Sequence, residues 1–183
     1  MKDSILLLGV SGSLRPSSAN ATLLKAIAGL LPRYVVFTVF DGLGDLPHFN
    51  DAGESPAAVN HWRKVLQDAE AILICTPEYA FGVPGSLKNA LDWTVGSGEL
   101  VNKPLGLITA ATGGEKAHAA FLQIFTALSA DIPEGCALLI QHVRTKLDAG
   151  GQISDAATKQ AVQLLLDKLL LHVETKTGTA TGS

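Results

Sequence analysis

The feature of this chain that most restricts its fold is an alternation. Apolar, β-branched runs occur at Ile5–Val10, Tyr34–Phe40, Ala71–Cys75, Leu105–Ala110 and Ala137–Val143. Segments with helical spacing follow each of them, at Asn20–Leu31, Pro56–Asp68, Pro84–Thr94, Lys116–Ala130 and Asp155–Val173. The runs are continuously apolar, the mark of strands buried on both faces. Such strands joined by helical crossovers make a parallel sheet with helices on either side, a three-layer α/β domain. A chain of 183 residues suits one such core and is short for two, so residues 1–174 read as a single domain. The small, polar stretch "TKTGTATGS" at 175–183 is expected to be disordered.

Composition narrows the partners. A net charge of −3 and a pI near 5.9 leave no basic footprint for nucleic acid. The apolar runs are strand-sized and too short to span a bilayer, and the first lacks the length and cleavage site of a signal peptide. Cys75 and Cys136 lie far apart with no CxxC, and His48, His61, His118, His142 and His172 show no paired metal spacing. A cytoplasmic protein without membrane, nucleic-acid or metal partners is the resulting expectation. With 47% hydrophobic and only 17% charged residues, some apolar surface is available for a partner subunit to cover.

In an open parallel sheet, ligands sit outside the carboxyl ends of the strands, where strand order reverses. The segments that follow the first, third and fourth runs are therefore the ones to read. After Val10 comes "SGSLRPSSAN", entering a helix through many hydroxyls, one arginine and one asparagine. A helix N-terminus offers free N–H groups and a positive dipole end to a phosphate. Ser13, Ser18 and Asn20 can add neutral donors and Arg15 a charge. Neither GxGxxG nor GxxxxGK[ST] is present, which argues against a Rossmann fingerprint and a P-loop. A cup made mostly of hydroxyls suits a terminal phosphomonoester. Ser18 or Asn20 would also cap the helix with no ligand, but capping accounts for one residue and not for the set.

After the third run, Pro77 stiffens the exit, Glu78 is a carboxylate at the edge, and Tyr79 and Phe81 offer flat faces to a planar ring or to a hydrophobic plug. After the fourth, Gly113 and Gly114 in "TAATGGEKAH" allow close backbone approach, as a simple turn would too. Lys116 is a possible contact for an extra phosphate and more often a solvated lysine. His118 reads as a core or surface histidine in preference to a donor.

These stretches carry a resemblance. "GSLRPSSANATL" and "TPEYAFGVPGSLKNALDW" resemble the two signatures of the NADPH-dependent FMN reductase family, over about Ile5 to Val143. The resemblance implies a flavodoxin-like three-layer sandwich with a five-stranded parallel sheet of order 2-1-3-4-5. It places Ser13, Arg15, Ser18 and Asn20 around the FMN phosphate, Pro77, Glu78 and Tyr79 along the ribityl chain and ring, and Thr112, Gly113 and Gly114 at the pyrimidine edge. Family members usually have asparagine where Ala80 stands, and a polar or bulky pair at Phe81 and Gly82. The implied activity is hydride transfer from NADPH to bound FMN and on to a small acceptor (a quinone, flavin, azo compound or metal oxyanion) by a ping-pong mechanism. No catalytic side chain is required, and the resemblance implies a homodimer or homotetramer. A flavodoxin-type electron carrier is the alternative, and a chain that has lost the flavin is a third reading.

Overall fold

The computed structural model describes residues 4–51 and 53–180, with side chains as far as Lys176. Strands β1 (Ile5–Ser11), β2 (Val35–Phe40), β3 (Ala71–Thr76), β4 (Leu105–Ala110) and β5 (Ala137–Ile140) form one sheet of order β2-β1-β3-β4-β5. Every pair is parallel. The fold is the flavodoxin-like one expected. β3 and β4 lie inside the sheet and are buried at every residue, which is why their sequence shows no period.

Two cores sandwich the sheet. On one face Leu7, Leu73 and Ile108 pack against helices α1 (Ala19–Ala28) and α5 (Ala156–Ala180). On the other, Leu8, Val10, Ile74 and Leu107 meet α2 (Ala57–Asp68), α3 (Gly85–Asp92) and α4 (Glu115–Ala127). The helices bury residues three and four apart: Val59, Trp62 and Leu66 in α2, Ala117, Phe121 and Phe125 in α4. That is the apolar stripe of an amphipathic helix.

Helices α1 and α4 each end three residues before the sequence reading has them, at Ala28 and Ala127, and two further differences bear on the site and the tail. The fifth strand stops at Ile140, not Val143, because His142 takes a left-handed conformation with φ +51° and a 3-10 turn follows at Val143–Lys146. The segment expected to be disordered is helical as far as Ala180, while 181–183 lie outside the described residues. A polar anchor holds the start of this extension: Lys176 Nζ donates to Asn102 O at 2.7 Å and to Asp131 Oδ2 at 2.6 Å. His172 Nε2 lies 2.8 Å from the same carboxylate oxygen.

Partial burial alone would raise the Asp131 carboxyl, but the hydrogen bonds from Lys176 and His172 outweigh it and hold it below its ordinary value. A depressed carboxylate contributes stability that is present above the unfolded value and lost as pH falls through the folded one. Asp131→Asn is therefore expected to cost about 1 kcal/mol near neutral pH and to flatten the acid limb of stability, read by thermal melts between pH 3 and pH 7.

Candidate functional site

The carboxyl ends of β1, β3, β4 and β5 enclose a cleft of about 440 Å³. Arg15, Ser18, Asn20, Pro77, Glu78, Tyr79 and Thr112 line it, so residues from all three expected loops come together. Ser13, Gly113 and Gly114 do not line it.

The first loop is shaped by its own hydroxyls. Gly12 is crowded against β3: a Cβ there would come within 2.3 Å of Thr76 Oγ1 and 2.7 Å of Thr76 Cβ. Ser13 is buried, and its hydroxyl accepts from Arg15 N at 3.3 Å and lies 3.2 Å from the Tyr79 hydroxyl. Ser13 thus braces the first loop against the second from behind the cleft wall. Ser18 is the N-cap of α1, its Oγ accepting from Ala21 N at 3.0 Å. By helix geometry the amides of Ala19 and Asn20 have no intrahelical partner, and both residues line the cleft.

Asn20 is the most informative side chain. It is 3% exposed, and its Nδ2 donates to Ala110 O at 3.0 Å, tying the first turn of α1 to the end of β4. That bond orients the amide, since the flipped form would set oxygen against oxygen. Asn20 Oδ1 is then buried without a partner, a state that costs about 1–3 kcal/mol in a folded interior. The expected donor role toward a phosphate is in part taken up inside the protein, and what remains uncommitted is an acceptor.

Glu78 is committed as well. Its Oε2 accepts from Ala117 N at 2.9 Å and its Oε1 from Gly114 N at 3.3 Å. The two amides are those of the N-cap Gly114 and of Ala117 in the first turn of α4, where a negative charge meets the positive end of the helix dipole. Gly114 adopts φ +107°, and a Cβ there would come within 2.8 Å of Leu139 Cδ1, so glycine is required by backbone and space together. Its N–H serves the cap and not an open edge. Gly113 sits beside the same carboxylate, with Glu78 Oε1 at 3.7 Å from where its Cβ would be.

Tyr79 and Gly82 exchange backbone hydrogen bonds of 3.0 and 2.9 Å, closing a tight turn with Ala80 at φ +48° and Phe81 at φ +58°. Two consecutive left-handed residues define a type I′ turn, whose first central position favours asparagine. The asparagine that the resemblance implies at position 80 would suit this backbone. Ala80 adopts the same shape at about 1–2 kcal/mol of conformational strain. Phe81, at the turn's tip, is 81% exposed.

The sequence reading missed part of the wall. Ser17, Ala110 and Ala111, with His142, Val143, Arg144 and Thr145 from beyond β5, also line the cleft. The rule that singled out the residues after the first, third and fourth strands would have found the last group. It was hidden because the apolar run was carried through Val143. Arg15 and Arg144 are both exposed, and neither has an ion-pair partner among the described residues. His118 points elsewhere: its Nδ1 is 2.9 Å from the buried Thr109 hydroxyl, and burial lowers its proton affinity.

Among known proteins, a family model described as NADPH-dependent FMN reductase matches residues 5–145. An NAD(P)H-dependent FMN reductase of Pseudomonas aeruginosa is 32% identical over 184 residues, covering 94% of this chain and 97% of that protein. A 2-hydroxy-1,4-benzoquinone reductase of a Burkholderia species is 32% identical, over 87% of this chain and 91% of its own. Among solved structures, the flavoenzyme NAD(P)H:(acceptor) oxidoreductase FerB of Paracoccus denitrificans superposes with a TM-score of 0.80 at 27% identity, covering 93% of this chain and 98% of FerB.

Removing the Glu78 cap should be visible in stability. Glu78→Ala is expected to lower it by about 2 kcal/mol, the scale of charged hydrogen bonds at a helix start. Glu78→Gln, which keeps one acceptor, should recover roughly half. Thermal or urea melts of the two variants, compared with the unaltered chain, provide the check.

Proposed function

The chain belongs to the NADPH-dependent FMN reductase family, and from that premise we propose that FMN occupies the carboxyl-edge cleft and that small acceptors, quinones first among them, are reduced there at the expense of NADPH. The supporting observation is the juxtaposition in one wall of the unpaired Arg15 guanidinium, the first amides of α1 and the partnerless Asn20 Oδ1. A phosphomonoester matches the cation and the amides. A polyol chain carries O–H donors of the kind the buried acceptor lacks. The residues fit the cofactor.

When bound, FMN supplies the hydride chemistry, taking two electrons from the nicotinamide and passing them to the acceptor. The chain's own groups bind and orient. Arg15, the Ser17 and Ser18 hydroxyls and the α1 N-terminus are assigned to the phosphate, and Asn20 to the sugar chain. Pro77 and Tyr79 form one side of the ring slot and Thr112 another, with the Gly113–Gly114 bend supporting Thr112 from outside the cleft. Glu78, itself in the wall, holds that bend in place, and Ser13 acts from behind by bracing Tyr79. No side chain of the wall is assigned a proton transfer.

A single cleft of this size suits one ring-bearing substrate at a time beside the cofactor. Donor and acceptor then enter in turn, and the kinetics are ping-pong. No helix among the described residues is long and apolar enough to cross a membrane. The reading places the enzyme in the cytoplasm as a homodimer or homotetramer. Relatives named as quinone reductases support a quinone as acceptor over free flavin, azo compounds or metal oxyanions. The charge of the wall disfavours a one-electron carrier. Its arginines are unpaired and its one carboxylate is engaged, whereas carriers present acidic surroundings to dock on basic partners.

Arg15→Ala is expected to weaken FMN binding by about 10- to 100-fold while the melting temperature of the FMN-free chain stays unchanged. Ser18 is unsuitable for this comparison because it also caps α1. Fluorescence titration of FMN into the variant measures the effect, and unaltered affinity would remove Arg15 from the phosphate site. Initial rates with NADPH and a benzoquinone varied together should give parallel double-reciprocal lines. Intersecting lines would exclude the alternating use of one site.

A further inference from the structure

One cation of the cleft has no part in the function proposed above. Arg144 lines the wall beyond β5 and is exposed, and its side chain makes no ion pair or hydrogen bond among the described residues. Lys146, on the same turn, is held by Asp155 at 3.3 Å. Glu78, the one carboxylate of the lining, already accepts from the Gly114 and Ala117 amides. Arg144 therefore has no acidic counterpart in the wall, and its fork of donors is available to an anion.

The backbone fixes where that guanidinium is displayed. His142 N donates to Thr112 O and Val143 N to Ala111 O, both at 3.2 Å, so the chain leaving β5 turns back along the end of β4. His142 holds φ +51° to make that turn, a left-handed conformation that is costly for any residue with a Cβ. The buried Val143 and the bond from Thr145 N to His142 O at 2.8 Å hold it in place. Next in line on β4 is Ala110, whose carbonyl accepts from Asn20 at the start of α1. Farther along, a Cβ at Gly151 would come within 2.9 Å of Thr22 Cγ2, so the connection to α5 lies against α1. Arg144 thus enters the cleft on the flank of the first turn of α1, while Arg15 enters from the loop leaving β1.

Resting on the reading of the cleft as an FMN site, we propose that Arg144 is the second cation of the phosphate subsite, closing on the phosphomonoester from the β5 side as Arg15 does from the β1 side. Arg144 lies outside both stretches that carry the family resemblance, at 12–23 and 76–93. A phosphomonoester carries about −1.5 to −2 charges near neutral pH, more than one guanidinium balances. It also presents three terminal oxygens, of which a bidentate fork engages two. The open amides at the start of α1 contribute about half a positive charge and serve one face. Inward movement is opposed by Asn20 Oδ1, which is 3% exposed, without a partner and itself an acceptor. It repels phosphate oxygens and takes a hydroxyl. The phosphate is therefore held toward the rim, where its outer oxygen meets Arg144.

Fluorescence titration of FMN and of riboflavin, which lacks the phosphate, into the cofactor-free full chain tests this. Arg144→Ala is expected to weaken FMN binding by about tenfold and to leave riboflavin within about twofold. Arg144→Lys keeps the charge without the fork and should limit the loss to about threefold. Lys146→Ala removes a neighbouring charge outside the lining and should leave both affinities unchanged, as should the melting temperatures of all the cofactor-free chains. FMN affinity unmoved by Arg144→Ala overturns the inference and leaves Arg15 as the phosphate's cation. Equal losses for FMN and riboflavin, or an equal loss in Lys146→Ala, overturn it too. So does a weakened preference for NADPH over NADH at unaltered FMN affinity, which would assign Arg144 to the donor's extra phosphate. An unaltered chain that binds FMN no better than riboflavin removes the phosphate subsite itself, and with it the reading on which this inference rests.

Discussion

The carboxyl edge of the sheet depends on one side-chain amide. Asn20, buried at the start of α1, donates to the carbonyl of Ala110 at the end of β4, although β3 lies between β1 and β4 in the sheet. This bond fixes where α1 begins relative to the loop that leaves β4. With it are placed the Ser18 cap, the open amides of the first turn and the loop carrying Arg15. The same bond leaves Asn20 Oδ1 buried and without a donor. A ligand with hydroxyl groups relieves that cost, while a bare anion does not. The constraint that builds the wall therefore also biases what the wall accepts.

Glu78 provides a second tie. Its carboxylate crosses from the loop after β3 to the first amides of α4, so the second and third loops move together. The cleft floor is then held by two cross-links between elements distant in sequence, while its rim keeps two uncommitted cations, Arg15 and Arg144. Neutral donors inside and positive charge outside suit a phosphorylated cofactor whose charged end stays near water.

Much of this was legible in the residues. Uninterrupted apolar runs at β3 and β4 declared strands covered on both faces, and their alternation with amphipathic segments dictated a parallel sheet. The cleft-facing positions of Arg15, Ser18, Asn20, Pro77, Glu78, Tyr79 and Thr112 follow from their places just after strands. What sequence could not reveal was allocation. A serine, an asparagine or a glutamate reads alike whether it faces a ligand or satisfies a backbone group. Only the fold shows Ser18 capping α1, Asn20 bonding Ala110 and Glu78 capping α4. The wall beyond β5 was masked because the run was carried to Val143 across the polar Gln141 and His142, where His142 turns left-handed. The polar end of α5 looked like a loose tail, since its anchor to Asp131 is formed by residues far apart in the chain.

The most direct test of the central claim is an anaerobic absorbance titration of the FMN-loaded protein with NADPH. The account predicts prompt, stoichiometric bleaching of the flavin bands and their return on addition of a benzoquinone. A chain that retains no FMN, or a bound flavin that NADPH leaves oxidised, would contradict it.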